Sequence, residues 1–409
     1  MKPPQGLARI ILHFEKPLVA AISAFIVYVA LSMLRESPFG VTPTAYFNYL
    51  ADSFLHGQLH LRLLPPSLHD LSFFHGKYYL YWPPMPAVVL LPFVAIFGVN
   101  FSDIFFTIVL ASVNVGIVAL LLRAATQAKL IQSDEVSRAL LVFFFAFGTV
   151  QITLALFGRV WFTAQQIGFL FVALAYLVAL QGTGKSAFLV TGLLIACAML
   201  TRNHLLFVGI WPAWHLFKKS WDPTSPPYTS FALFLLPLLV FGLLFLGYNY
   251  VRFDSPFELG IRYHQMNPFF VDEYQKYGAF NLHYLPVNFF YQYIHYPFPV
   301  TEDSVMGGSL FLLSPVFLYI FPAIFSRYRS MDTLVLLVSI LAASVPILLL
   351  MGTGWIQFGP RYTFDFTVPL LLLTAQGVSS TSRKMLGVLV AVSIVQYVIG
   401  ALVLLYLPA

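Results

Sequence analysis

Charge is what this chain has least of. Asp, Glu, Lys and Arg make up only 9% of its 409 residues, against roughly 25% in soluble domains, too few to cover the surface of a water-borne protein of this length. Cysteine is scarcer still: Cys197 is the only one, and it lies within an apolar run, which excludes an intramolecular disulfide. There is no basic tract and no stacking motif of a nucleic-acid binder, so the formal charge of +6 does not point to a nucleic-acid partner. Metal-ligand spacing is missing as well. His56 and His60 stand four apart without a third ligand nearby, so no metal or cofactor site is read from the chain.

What fills the chain instead is hydrophobic: 59% of residues, gathered in blocks. Residues 17–34, 104–122, 139–157, 161–180, 231–248, 309–326, 333–351 and 386–407 hold no Asp, Glu, Lys or Arg, nor does the shorter run 366–378. A bilayer core needs about 20 apolar residues per helical crossing, and charge at its centre is costly. The first block follows Lys2, Arg9 and Lys16 and lacks a small-x-small cleavage site, so it reads as an uncleaved signal anchor. Ala187–Leu200 and Leu205–Phe217, split by Thr201-Arg202-Asn203, read as two short crossings, with a re-entrant pair as the alternative. Residues 85–98 are apolar but short and carry Pro86 and Pro92, which suits an interfacial helix.

Charge placement tests that choice. If 85–98 does not cross, the short cytoplasmic loops after it hold Arg123, Lys129, Arg138, Lys185, Lys218, Lys219, Arg327, Arg329, Arg383 and Lys384, against Arg159, Arg202 and Arg361 in the opposite short loops. That asymmetry is the positive-inside pattern. The expected fold is an all-α polytopic membrane protein of about 11 transmembrane helices, one membrane domain over 1–409. Its N-terminus lies in the cytoplasm and its C-terminus outside. Two large segments, 35–103 and 249–308, then occupy the outer face and hold most of the acidic residues.

The first outer segment has its own pattern. Tyr46, Leu50 and Phe54 recur every four residues, as do Thr44, Asn48, Asp52 and His56. This predicts an amphipathic helix over 43–57, lying on the membrane with the polar stripe toward water. A Pro-rich loop follows with Asp70, His75, Lys77 and the aromatic run Tyr79–Trp82. Taken singly these features are ordinary: interfacial aromatics anchor a protein in headgroups, and a carboxylate on a wet helix face is usually just solvated.

Together they resemble a family. Tyr46–Gly57 (Y-x-x-L-A-x-x-F-L-x-G), Gly76–Pro84 (G-x-Y-Y…P-P) and the Phe97-Gly98 helix end look like the GT-C glycosyltransferases, which include the protein O-mannosyltransferases and the lipid A aminoarabinose transferases. AMLTR (198–202), YNYVRFDSPFELG (248–260) and GPRYTFDFTVPLLLL (359–373) resemble bacterial members of the class. The resemblance implies sugar transfer from a polyprenyl-phosphate donor to a lipid, glycan or protein acceptor. The reaction would run on the outer face of a bacterial cytoplasmic (inner) membrane. It gives Arg361, Tyr362, Arg159 and Arg202, at outward helix ends, the part of holding phosphate, since guanidinium forks bind phosphate bidentately. His56, Lys77, Tyr81 and Trp82 join them as candidate substrate contacts.

One departure stands out. The family's catalytic aspartate usually lies four residues before the motif tyrosine, and here that position is Thr42, which cannot act as a base. The resemblance therefore leaves Asp52, with Asp70 second, as the candidate bases. Competing readings are a lipid or polysaccharide transporter and a catalytically inactive GT-C-like scaffold. A transporter would need polar residues lining a path through the helices, and Asn114, Gln151, Gln165 and Gln166 are the few available.

Overall fold

The computed structural model describes residues 12–35, 37–327, 329–352, 356–378 and 382–406; Lys2 and Arg9 lie outside them. The chain is mostly helical. Helix α1 (Pro17–Ser32) opens on a proline, whose fixed φ suits a first helical turn. The first of the two segments expected on the outer face folds as α2 (Tyr46–Leu55), a hairpin of β1 (Leu71–Phe74) and β2 (Lys77–Leu80), and α3 (Met85–Phe97). Then come α4 (Asp103–Gln127), α5 (Glu135–Phe147), α6 (Gln151–Ala155), α7 (Val160–Gln181), α8 (Gly184–Met199), α9 (Ile210–Lys219) and α10 (Tyr228–Phe253). The second outer segment carries α11 (Pro268–Tyr277), and short helical turns lead on to α12 (Met331–Leu349), α13 (Thr367–Val378) and α14 (Arg383–Tyr406).

Among the described residues, α4, α7, α10, α12 and α14 are long and apolar enough to cross a membrane, with α1, α3, α8 and the stretch Pro315–Phe325 as shorter apolar helices. The protein is an integral membrane protein. Its layering follows from burial: about 72% of the apolar window of α4 and of α7 is packed inside, against 17% for α10. The first two form the centre, and α10 is a rim helix with its leucines turned outward.

The structure departs from the sequence reading in four places. The block 139–157 is not one helix, because α5 stops at Gly148, where a Cβ would collide with Ser393 on α14. The block 309–326 is broken at Ser314-Pro315 into Leu310–Leu313, a 3-10 turn over Pro315–Tyr319, and Ile320–Phe325. The expected Pro-rich loop contains the β1–β2 hairpin, closed by His75 and Gly76, both at positive φ (47° and 76°), the two-residue turn that matches strand twist. Met306–Gly307 also pairs in parallel with Gln357–Phe358, so the fold is not strictly all-α.

The fourth departure concerns α2. The middle of its polar stripe does not face water, although His56 at its end is exposed: Asn48 is fully buried, with Nδ2 donating to the carbonyls of Val99 and Phe101 at 3.0 and 2.8 Å. The stripe thus ties α2 to the turn after α3, satisfying groups that would be costly to bury unpaired. The mid-helix amides are likewise closed on the protein. Asn114 donates to Gln166 at 2.8 Å, Gln166 to Gln151 at 2.9 Å, and Gln151 to the Ala111 carbonyl at 2.9 Å. They fasten α4, α6 and α7 together, with their hydrogen bonds spent on one another and on backbone.

Candidate active site

A cavity of about 680 Å³ opens where the two outer segments meet the helix ends. Among the pieces of chain that converge on it are the turn before β1, the Tyr81-Trp82 pair after β2, the start of α7, the junction after α8, the end of α12, and the 3-10 turn over Arg361–Phe366. The second outer segment closes one side by strand-like contacts with the hairpin. The Asp70 amide donates to the Gln265 carbonyl at 3.1 Å, and the Gln265 amide returns to Leu71 at 2.8 Å. The Ser72 hydroxyl donates to the Gly260 carbonyl at 2.8 Å. Gly260 has φ +94°, and a Cβ there would press into Phe253 and Ser72, so only glycine fits this close crossing.

Asp70 sits in the left-handed region, φ 64°, one an aspartate tolerates better than most residues. The motif tyrosine fixes this turn: the Tyr46 hydroxyl donates to the carbonyl of His69. From there the Asp70 carboxylate reaches the cavity. Nε2 of His264 lies 2.8 Å from Oδ1, Nε2 of His69 lies 3.2 Å from the same atom, and the Trp161 indole donates to Oδ2 at 3.1 Å. Beside it the Tyr81 and Trp82 rings stack at 3.8 Å, and Tyr81 meets the His264 ring at 4.8 Å. Burial, helped by the Asp70 charge, pushes the Tyr81 phenol well above its ordinary value, so it stays neutral.

The arginines line the same cavity. The Arg202 Nε donates to Asp365 Oδ2 at 3.0 Å, His204 Nε2 is 2.8 Å from that oxygen, and Gln165 reaches Oδ1 at 3.5 Å. Burial works to raise the Asp365 carboxyl, but the charges of Arg202 and His204 and the hydrogen bonds of His204 and Gln165 outweigh it and hold the group below its ordinary value. Gln165 Nε2 also donates to the Arg361 carbonyl at 2.8 Å, fixing the backbone of the 3-10 turn. The Arg361 guanidinium rests over the faces of Tyr362 and Phe162, 4.9 and 5.5 Å from their centroids. It donates weakly to the Tyr362 hydroxyl at 3.4 Å, and its buried Nε has no hydrogen-bond partner.

Of the residues singled out in the sequence, Asp70, Tyr81, Trp82, Arg159, Arg202, Arg361 and Tyr362 all line this cavity. Asp52, His56 and Lys77 are not among its lining residues. Asp52 is gripped by Arg62 through a fork at 2.9 and 3.0 Å, and His56 Nδ1 is 2.8 Å from the Asp52 carbonyl. Lys77 is exposed at the start of β2. Thr42 gives both its amide and its hydroxyl to the buried Asp103 carboxylate, at 2.9 and 2.5 Å, clamping the first outer segment to the start of α4. Sequence reasoning missed His264, Trp161, His69, His204 and Asp365. Only Asp365 had a local signal, four residues after Arg361 within a motif already quoted. No group of three His, Cys, Asp or Glu suited to a metal ion occurs among the described residues.

The arrangement is one carboxylate held by imidazole and indole groups, in a cavity that guanidiniums and aromatic rings also line. Chemically it can take a proton and hold an anion in the same space. No known family model and no curated protein sequence matches this chain. Among solved structures it is similar to ArnT from Cupriavidus metallidurans bound to undecaprenyl phosphate, at 13% identity and a TM-score of 0.48, over 91% of this chain and 61% of that one. It is also similar to the archaeal oligosaccharyltransferase AglB from Archaeoglobus fulgidus in complex with an inhibitory peptide and a dolichol-phosphate, at 12% identity and a TM-score of 0.48, over 94% of this chain and 56% of that one. The chain thus spans about three-fifths of the length of these proteins.

Proposed function

We propose that this cavity transfers a sugar from a polyprenyl-phosphate donor to a hydroxyl-bearing acceptor at the outer face of a bacterial cytoplasmic membrane. Asp70 is the base. It removes the proton of the acceptor hydroxyl as that oxygen bonds to the anomeric carbon. The bond from that carbon to the phosphate oxygen breaks, and polyprenyl phosphate leaves with the electron pair. Arg361, with the Tyr362 hydroxyl and Arg159, holds the phosphate and answers the charge that grows on it, the preorganised stabilisation that dominates such transfers. Arg202, already committed to Asp365, keeps this wall in place, and Tyr81 and Trp82 flank the sugar. Asp52 and His56 shape the first outer segment through Arg62.

The observation that carries this reading is the meeting of Asp70 with three arginines in one cavity whose lining is otherwise mostly apolar. A carboxylate and anion-binding guanidiniums are the two halves that the chemistry needs, and the apolar lining suits a lipid-borne donor. The topology that goes with it is the eleven-helix arrangement with both large segments outside. The test is transfer by the purified protein in lipid, using a radiolabelled polyprenyl-phosphate hexose. Turnover by the native protein and its loss in Asp70→Asn support the reading, while turnover unaffected by that change refutes it.

A further inference from the structure

The cavity is lopsided in charge, and this bears on the sugar itself. Arg159, Arg202 and Arg361 line it, against the single carboxylate of Asp70. Arg202 is answered inside the protein: it pairs with Asp365 at 3.0 Å, with side chains only 10% and 1% exposed. Arg361 is not so provided for. It is 7% exposed, its Nε is without a hydrogen-bond partner, and aromatic faces are what lie against its guanidinium. A phosphodiester brings one negative charge, which meets that need. Next to Asp70 stand the stacked rings of Tyr81 and Trp82, a flat neutral surface of the kind that the C–H face of a sugar covers.

We infer that the sugar this cavity takes carries no amine: it is a hydroxyl-only sugar, as distinct from an amino sugar. The inference rests on the transferase reading above. An ammonium group on the ring would enter a space lined by three guanidiniums, where like charges act as a repulsive element against the wrong ligand. The one anion lining the cavity that could answer it is Asp70. Pairing there would occupy the lone pair that must receive the acceptor proton, and would lower the basicity of the carboxylate. Binding an ammonium and acting as the base are thus competing uses of the same group. A hydroxyl-only sugar makes neither demand.

The experiment compares two donors on the same polyprenyl phosphate, a hexose and its amino-deoxy counterpart, with the full-length protein in lipid vesicles. The hexose donor should be favoured in kcat/KM by about a hundredfold, the scale on which like-charge juxtaposition rejects a partner. Arg159→Gln removes one of the repelling charges, so it should narrow that ratio about tenfold, whatever it does to the absolute rates. Equal or better use of the amino donor overturns the inference and leaves the transferase reading standing. A preference that Arg159→Gln does not narrow also overturns it, since the discrimination would then come from shape. If neither donor is transferred and neither displaces labelled polyprenyl phosphate, the transferase reading fails and the inference with it.

Discussion

Asp70→Asn separates chemistry from architecture at this site better than any other change. The residue lies at φ 64°, and asparagine is among the few residues that accept the left-handed region, so the turn before β1 keeps its shape. Its amide oxygen can still sit 2.8 Å from Nε2 of His264, as Oδ1 does now. The contact put at risk is the one from the Trp161 indole, 3.1 Å from Oδ2, because an amide NH₂ cannot accept it. One such hydrogen bond is worth about 0.5–1.5 kcal/mol, a modest loss of stability. The chemical loss is larger. Removing a general base costs about 10²–10⁴-fold in rate, or about 2.7–5.5 kcal/mol of barrier. Initial-rate measurements with a labelled donor give the rate, thermal unfolding in detergent gives the stability, and titration with polyprenyl phosphate shows donor binding unchanged. Asp52→Asn is the control, since Asp52 is spent on Arg62, and it should leave turnover within a few-fold. A variant at Asp70 that keeps more than about a tenth of the rate lies outside the general-base range and would refute the assignment; loss at Asp52 instead would move the base to α2.

Arg361→Ala should weaken polyprenyl-phosphate binding by about two to three decades, the scale of breaking a buried charge pair, and Arg361→Lys should recover little because a point charge does not replace a guanidinium fork; calorimetric titration reads both, and unchanged affinity would make Arg361 an interfacial anchor. Asp365→Asn should destabilise the protein by about 3–5 kcal/mol at neutral pH by orphaning Arg202. Because the Asp365 carboxyl is held below its ordinary value in the fold, its contribution is complete above the ordinary carboxylate range and is lost as pH falls through the depressed value. The stability gap between native and variant should therefore stay constant above about pH 5 and shrink below about pH 4; a gap that persists into strong acid would contradict the pairing. Thr42→Asp, which restores the residue type that the family resemblance expects, should lower stability and fail to raise turnover, because its carboxylate would meet that of Asp103; higher turnover would show that the base belongs at position 42. In a Cys197→Ser background, cysteines at Ser225 and Lys384 should resist an impermeant thiol reagent while one at Asp272 labels, and labelling of Ser225 from outside would mean that α3 crosses the membrane.

The membrane character was legible because it is local. Each apolar block announces itself within some twenty residues, and the long helices α4, α7, α10, α12 and α14 fall on blocks read from the sequence. The breaks inside two blocks were not legible in the same way. Position 148, where α5 ends, takes a glycine because Phe144 and Ser393 on α14 come too close for a Cβ, and Ser393 is more than two hundred residues away. In α2 the period was readable while the direction of its faces was not. Whether Asn48 points to water or to the carbonyls of Val99 and Phe101 depends on a turn some fifty residues later. The arginines could be picked out because a cation between two apolar runs has few places to be. The partners of Asp70 could not, since His264 is 194 positions and Trp161 is 91 positions distant, and neither sits in a pattern that marks it.

If Asp70 is the base, as proposed, Thr42 and Tyr46 explain how a site can move while its motif stays. Position 42, where the resemblance expects a carboxylate, is bonded through both amide and hydroxyl to Asp103. An acidic group has not vanished from this corner; it sits on α4, and it serves as a clamp, buried and outside the lining of the cavity. Four residues on, the motif tyrosine uses its hydroxyl on the carbonyl of His69, the residue before Asp70. The motif helix therefore still governs the position of a carboxylate, through a backbone contact at its tyrosine. That contact lets the helix keep the spacing of the pattern it resembles while the acid it positions lies twenty-four residues downstream of the tyrosine, at Asp70. A count back from the motif tyrosine cannot find such a residue, because what links the two is a hydrogen bond across a turn and not a step along the chain.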